Sequence, residues 1–160
     1  MDNKQNRTPT SRFTSRRFHG EKSPKAPTLV SLEAVFLQSA LDNIQATCVL
    51  SFPTVASYAR MVDRARSGGT YDSWGTENRE APVRVCGAPG SHRFEIRCVD
   101  GAGSPYQYLA SILAAVIHRL DAGKTQSIAD SPDSAATLDK EKREEFGIGE
   151  RRLLLRLEDA

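Results

Sequence analysis

Histidine and cysteine are scarce in this sequence, three of each in 160 residues, and neither is arranged to hold a metal ion. Cys48, Cys86 and Cys98 stand at no metal-ligand spacing. An odd count with no secretory leader reads as reduced intracellular thiols, not as a disulfide framework. His19, His92 and His118 are scattered and join no Cys or Asp cluster. No apolar run is long enough to span a bilayer, so a membrane role is not expected and the chain reads as cytoplasmic. A net charge of +2 does not point to a nucleic-acid partner. Gly123-Lys124-Thr125 fails as a phosphate loop, because the glycine required five residues earlier is His118 and a helical pattern precedes it.

Charge is nevertheless uneven. Residues 1–27 hold seven Lys/Arg against two Asp/Glu, a net +5, which leaves −3 for the remainder. Apart from Met1, only Phe13 and Phe18 are bulky and apolar in that segment, too little to offset the entropy of ordering it. The reading is a disordered basic tail over 1–27 and a folded body over 28–160. A mitochondrial presequence or a basic nucleic-acid arm also fits its composition, without the amphipathic face or aromatic interleaving that would favour either.

What the sequence does have is arginine, seven times between Ser57 and Tyr106: Arg60, Arg64, Arg66, Arg79, Arg84, Arg93 and Arg97. In HRFEIRCV, Phe94, Ile96 and Cys98 alternate with Arg93, Glu95 and Arg97, the period of a half-buried strand. Upstream, Val83 and Val85 flank Arg84, and a Gly-Ala-Pro-Gly-Ser loop joins the two runs as a hairpin. Paired, they put Arg84, Arg93 and Arg97 on one face with a single acid, Glu95. Guanidinium forks match carboxylate and phosphate oxygens, so the cluster suits a polyanion, and the acid is a hard oxygen ligand for a divalent cation. An ordinary solvated sheet face gives the same pattern.

Around this stretch, apolar positions 29, 32, 36, 40, 41 and 44 predict a helix near 29–46 with Ser31 as N-cap. Strands are expected over 71–77, 82–86 and 92–99, in an antiparallel sheet. Tyr106, Leu109, Leu113, Val116, Ile117 and Leu120 predict a helix near 105–120 opened by Pro105. Residues 125–135 read as a polar linker, and 138–146 as a short charged helix ended by Gly147. The fold class is therefore α+β, an antiparallel sheet segment with flanking helices.

Three segments in order carry a resemblance: SYARMV from Ser57, WGTENREAPVRV from Trp74, and RFEIRCVDGAGSPY from Arg93. Over residues 33–160 the chain resembles the C-terminal half of the glutamine synthetase catalytic domain, most of all the fungal glutamine synthetase-like type. It departs from the family where Asp63-Arg64 replaces Pro-Gly, where the run 63–69 has no carboxylate at the loop-glutamate position, and where Ser104 replaces Asn. Ser67-Gly68-Gly69 could move over a ligand or be an inert turn. The resemblance implies an ATP-dependent carboxylate–amine ligase that joins glutamate and ammonia with Mg²⁺ or Mn²⁺. It implies Arg60 and Arg97 as ligands of the acid, and Arg79, Arg84 and Arg93 as ligands of ATP. Arg79 would be the catalytic arginine and Glu95 a metal ligand. Most of the family's metal-binding glutamates and its histidine lie upstream of the segment resembled. The expectation is thus a truncated, inactive catalytic fragment, or else a non-catalytic binding or assembly module that forms homo- or hetero-oligomers with a full-length relative. A sheet lacking the upstream strands would leave an edge bare, a site for association.

Overall fold

The computed structural model describes residues 11–14, 20–65, 68–122 and 126–153. In chain order the elements are β1 (Ser11–Thr14), β2 (Lys22–Ser23), β3 (Ala26–Val30), α1 (Ser31–Asp42), α2 (Ile44–Ser51) and α3 (Val55–Ala59). β4 (Trp74–Thr76), β5 (Val83–Cys86), β6 (Arg93–Ile96), α4 (Pro105–Asp121), a 3₁₀ turn (Ala135–Thr137) and α5 (Lys140–Glu145) follow. The main sheet has the order β1-β6-β5-β4, and β2 and β3 form a separate hairpin. The architecture is α+β, with α1, α2 and α4 packed together on one side.

Register explains how the sheet sorts its side chains. Phe13, Phe94, Val85 and Thr76 lie in one row across the four strands, and Arg12, Glu95, Arg84 and Gly75 in the next. Because neighbours along a strand alternate faces, the first row falls on the helix side and the second on the open side. Phe36 of α1 sits between Phe13 and Phe94, with ring centroids 5.4 and 5.1 Å away, so α1 seals the apolar face. Trp74, Val83, Ile96, Leu37 and Leu41 complete a dry core there.

Several expectations need correction. β5 and β6 pair antiparallel as predicted, but β4 pairs with β5 in parallel. Parallel neighbours usually need a long crossover. Here β4 is only three residues long, and the chain reverses at Glu77 (φ 55) and returns within residues 77–82. Asn78 shapes the return, its Oδ1 accepting from the Glu80 N–H at 2.8 Å. The helix expected over 29–46 is two helices broken at Asn43, the second reaching Ser51. Its N-cap is Val30, not Ser31, because Glu33 Oε2 accepts the Val30 N–H at 3.0 Å while Ser31 Oγ donates to Glu21 O.

The segment 1–27, read as a tail, holds β1, β2 and the start of β3 among its described residues. Phe13 stacks on Phe36, and Ala26 is buried. Four residues need little intrinsic propensity when a preformed edge and an aromatic pocket receive them. The linker at 126–135 is likewise built in. Trp74 Nε1 donates to Ile128 O (2.9 Å), the Ser131 N–H to Trp74 O (3.1 Å), and Asn78 Nδ2 to Ser131 O and Asp133 O (both 2.9 Å). Gln38 Oε1 of α1 accepts from the N–H groups of Ser127 and Ile128 at 2.8 and 3.0 Å. The bare edge expected of the sheet is therefore changed: residues 128–131 line β4, and β1 covers β6 and becomes the outer strand itself. The Gly123-Lys124-Thr125 run, Arg66 and Ser67 lie outside the described residues.

Candidate functional site

The open face of the sheet is where the arginines meet. Glu95 is central on β6 and its side chain is 7% exposed. Antiparallel pairing places Arg84 directly across from it, and Arg84 Nη1 donates to Glu95 Oε2 at 3.2 Å. On the other side β1 places Arg12 across from it, with Arg12 Nε 3.0 Å from Glu95 Oε1. Arg97, two residues on, brings Nη1 to 4.0 Å from Oε2. Both carboxylate oxygens thus face guanidinium groups.

Arg84 also holds Glu77, the residue at which the chain leaves β4. Burial pulls the Glu77 carboxyl upward, but the hydrogen bond and charge of Arg84 outweigh it and leave it below its ordinary value. Arg97 is buried, and burial holds its guanidinium below the usual arginine range, with Glu95 opposing and the like charges of Arg84 and Arg79 adding. Arg79 is exposed on the loop after β4, and Arg93 is exposed at the start of β6. Arg93 contributes positive charge at Glu77 and at Cys86. Gly68 fits beside Arg97, where an added Cβ would come within 3.3 Å of the arginine's own Cβ. Gly68 and Gly69 are buried, and Thr70 is tied to Asp63 by its N–H (2.9 Å) and hydroxyl (2.8 Å). The described part of this loop is packed, not poised over the face.

Of the residues singled out in the sequence, Arg84, Arg97 and Glu95 meet, and Arg79 and Arg93 stand within electrostatic reach. Arg60 is set apart. It sits at the end of α3 and gives its Nη2 to Asp100 Oδ2 (3.1 Å) and Val99 O (3.4 Å). Arg12, Glu77 and Asn78 escape sequence reasoning. The first lies in what reads as a tail, and the others in a return loop whose parallel geometry no local pattern announces.

Comparison with known proteins bears on this arrangement. A sequence model described as "Glutamine synthetase, catalytic domain" matches residues 16–160. The chain belongs to the glutamine synthetase catalytic-domain family. Among curated relatives, the fluG protein of Emericella nidulans is 34% identical over 116 residues, 72% of this chain and 13% of that protein. Glutamine synthetases of Halobacterium salinarum and Thermococcus kodakarensis are 35% and 37% identical, each over 71% of this chain and 25% of their own length. The chain therefore spans a quarter or less of these relatives. Among solved structures, a GmaS–ADP complex superposes with a TM-score of 0.61 at 25% identity, covering 80% of this chain and 29% of that one. A Plasmodium falciparum glutamine synthetase gives 0.60 at 21% identity over 73% of this chain and 23% of its own, a likeness of fold.

The groups that a glutamine synthetase fold implies can be tested against these residues. A polyanion fits, because the open face carries more guanidinium than carboxylate and the Arg84 Nε, buried from solvent, meets no acceptor. A divalent cation does not fit. Glu95 already faces three guanidinium groups, and among the described residues no group of three or more His, Cys, Asp or Glu could hold a metal ion. No described helix is long and apolar enough to cross a membrane.

Proposed function

We propose that the open sheet face is the arginine side of a glutamine synthetase-type site, and that this chain by itself binds a polyanion of the ATP class without ligating glutamate to ammonia. Arg84, Arg93 and Arg79 would receive phosphate oxygens, with Arg79 beside the transferring phosphoryl group, and Arg97 and Arg60 would receive a glutamate-like acid. The observation that carries this reading is the convergence of Arg84 and Arg97 on a carboxylate whose charge is already balanced. The ADP bound in the GmaS complex supports a nucleotide as the polyanion. In the full reaction a divalent ion, Mg²⁺ or Mn²⁺, screens the phosphates and the acid attacked; these residues supply only the arginine share of that screening. A cytoplasmic place in nitrogen metabolism accompanies the family reading.

Each charge-assisted hydrogen bond contributes on the order of 1.5–3 kcal/mol. Two or three, less the cost of immobilising the ligand, give a Kd of roughly millimolar to high micromolar. Calorimetric titration of ATP into the wild type and Arg84→Ala, each with and without Mg²⁺, tests this. Weak binding that is lost in the variant, fades with salt and gains little from Mg²⁺ is expected. Equal binding in both proteins would make the face ordinary surface. A sharp gain with Mg²⁺ would mean that metal ligands are supplied by an oligomer, and glutamine formation above an Arg84→Ala control would show a working ligase.

A second reading, an assembly module joining further polypeptide into homo- or hetero-oligomers, is favoured by α4, which exposes Tyr106, Leu109, Leu113, Ile117 and Leu120.

A further inference from the structure

β1 lies at residues 11–14, outside the residues 16–160 that the family model matches. It is nevertheless part of the site. It pairs with β6 over its whole length and delivers two side chains in register, Phe13 to the aromatic pocket of Phe36 and Phe94, and Arg12 to Glu95.

The two contacts do different work. Phe13 lies half buried on the helix side and supplies apolar area that any strand could use. Arg12 is specific. Its guanidinium Nε lies 3.0 Å from Oε1 of a carboxylate that is 7% exposed, while Arg84 and Arg97 approach the other oxygen. A buried carboxylate needs its charge balanced, and a guanidinium balances it with a directional hydrogen bond where a metal ion would otherwise be required.

We propose that Arg12 is a built-in cation at Glu95: β1 docks on the β6 edge as the chain's own closing strand, and Glu95 anchors it in place of binding a divalent ion. The strand then covers the β6 edge and balances the acid's charge at once. The open face is left net cationic and independent of metal. This assignment stands whether or not ATP is the polyanion, since it concerns only the acid and the strand.

Hydrogen–deuterium exchange on the full chain tests it, with the wild type, Arg12→Gln, Arg12→Lys, Glu95→Gln and the double variant Arg12→Gln/Glu95→Gln. The readouts are the amides of residues 11–14 and 93–96, together with Mn²⁺ binding followed by the free-ion electron paramagnetic resonance signal. Arg12 is 63% exposed, so screening limits its share, and loss of either partner should speed exchange of 11–14 by about fivefold. The double variant should exchange no faster than the worse single one, because both remove one interaction. Arg12→Lys should restore part of the protection, which loss of packing alone would not allow. Mn²⁺ at millimolar concentration should stay free in the presence of the wild type and leave exchange unchanged. Unaltered exchange in Arg12→Gln would overturn the anchor. Mn²⁺ bound by the wild type and released by Glu95→Gln would overturn the assignment by making Glu95 a metal ligand. Should Glu95→Gln fail to fold, the exposed Arg12 variants and the wild-type Mn²⁺ titration still decide.

Discussion

Asp72 shows how a single side chain can set the pH response of this fold. It is 8% exposed, its Oδ2 lies 3.0 Å from Arg151 Nε, and its Oδ1 is buried without a hydrogen-bond partner. Burial pushes its carboxyl from 3.8 up to about 6, Asp42 pushing the same way and Arg151 opposing. The folded state thus holds a proton that the unfolded chain releases near pH 4. The resulting stability is complete below about pH 4 and is lost as pH rises through about 6. At neutral pH the ionised acid costs up to about 3 kcal/mol. Asp72→Asn keeps the shape and removes the titration. Relative to the wild type, it should gain stability steadily between pH 4 and 6 and level off above. Asp100 and Glu77, both held below their ordinary values, add the opposite slope at lower pH in both proteins, so it is the difference between the two urea-unfolding curves that isolates Asp72. A difference that does not change with pH would refute the assignment.

Among the elements, those with a local period were legible in the sequence and those held by distant partners were not. The β5–β6 hairpin and α4 sit where alternation and helical spacing place them, and Arg84, Arg97 and Glu95 follow from the hairpin's register alone. β1 was not legible because its four residues owe their order to Phe36, Phe94 and Glu95, all more than twenty positions away. Residues 126–135 hid for a similar reason: a polar segment looks like a linker until Trp74, Asn78 and Gln38 are seen to satisfy its backbone. Gly75 exposes this dependence. A Cβ there would lie 2.1 Å from Ser131 O and 2.7 Å from Asn78 Cβ, so the segment crosses β4 where only glycine leaves room. Gly75→Ala must push that backbone away and should cost about 1–3 kcal/mol. Gly149→Ala, whose nearest neighbour is 3.8 Å away, should stay within about 0.5 kcal/mol of wild type. Denaturant midpoints of the two variants compare them directly, and equal midpoints would mean that 128–131 does not brace the sheet.

For the whole molecule, the question is which surfaces are left for association. β4 is lined by 128–131, whereas pairing with β6 makes β1 the outer strand of the sheet, so the edge that the sequence suggests for association moves to β1. α4 offers another. It buries Ile112, Ala115 and Arg119 against α1 and α2, with Arg119 paired to Asp42 and Ser111 Oγ 3.3 Å from Thr47 Oγ1. Its opposite side exposes Tyr106 (82%), Leu109, Leu113 (48%), Ile117 (61%) and Leu120 at intervals of three and four, one continuous helical stripe. Ala110 and Ala114 beside the stripe are small enough to let a second helix approach closely. A contiguous apolar patch of this kind is rare on a lone soluble molecule. Each large side chain withdrawn from water contributes about 1.5–3 kcal/mol, so a pair of stripes meeting from two copies outweighs a modest association cost. Light scattering behind a sizing column should accordingly show the wild type as a dimer or larger at micromolar concentration. Leu113→Glu/Ile117→Glu should be monomeric and should melt where the wild type melts once diluted below its association range, since both side chains are already in water in the single copy. A monomeric wild type would remove self-association and leave the stripe to a different polypeptide. A variant that melts many degrees below the diluted, dissociated wild type would mean that the stripe packs within its own chain.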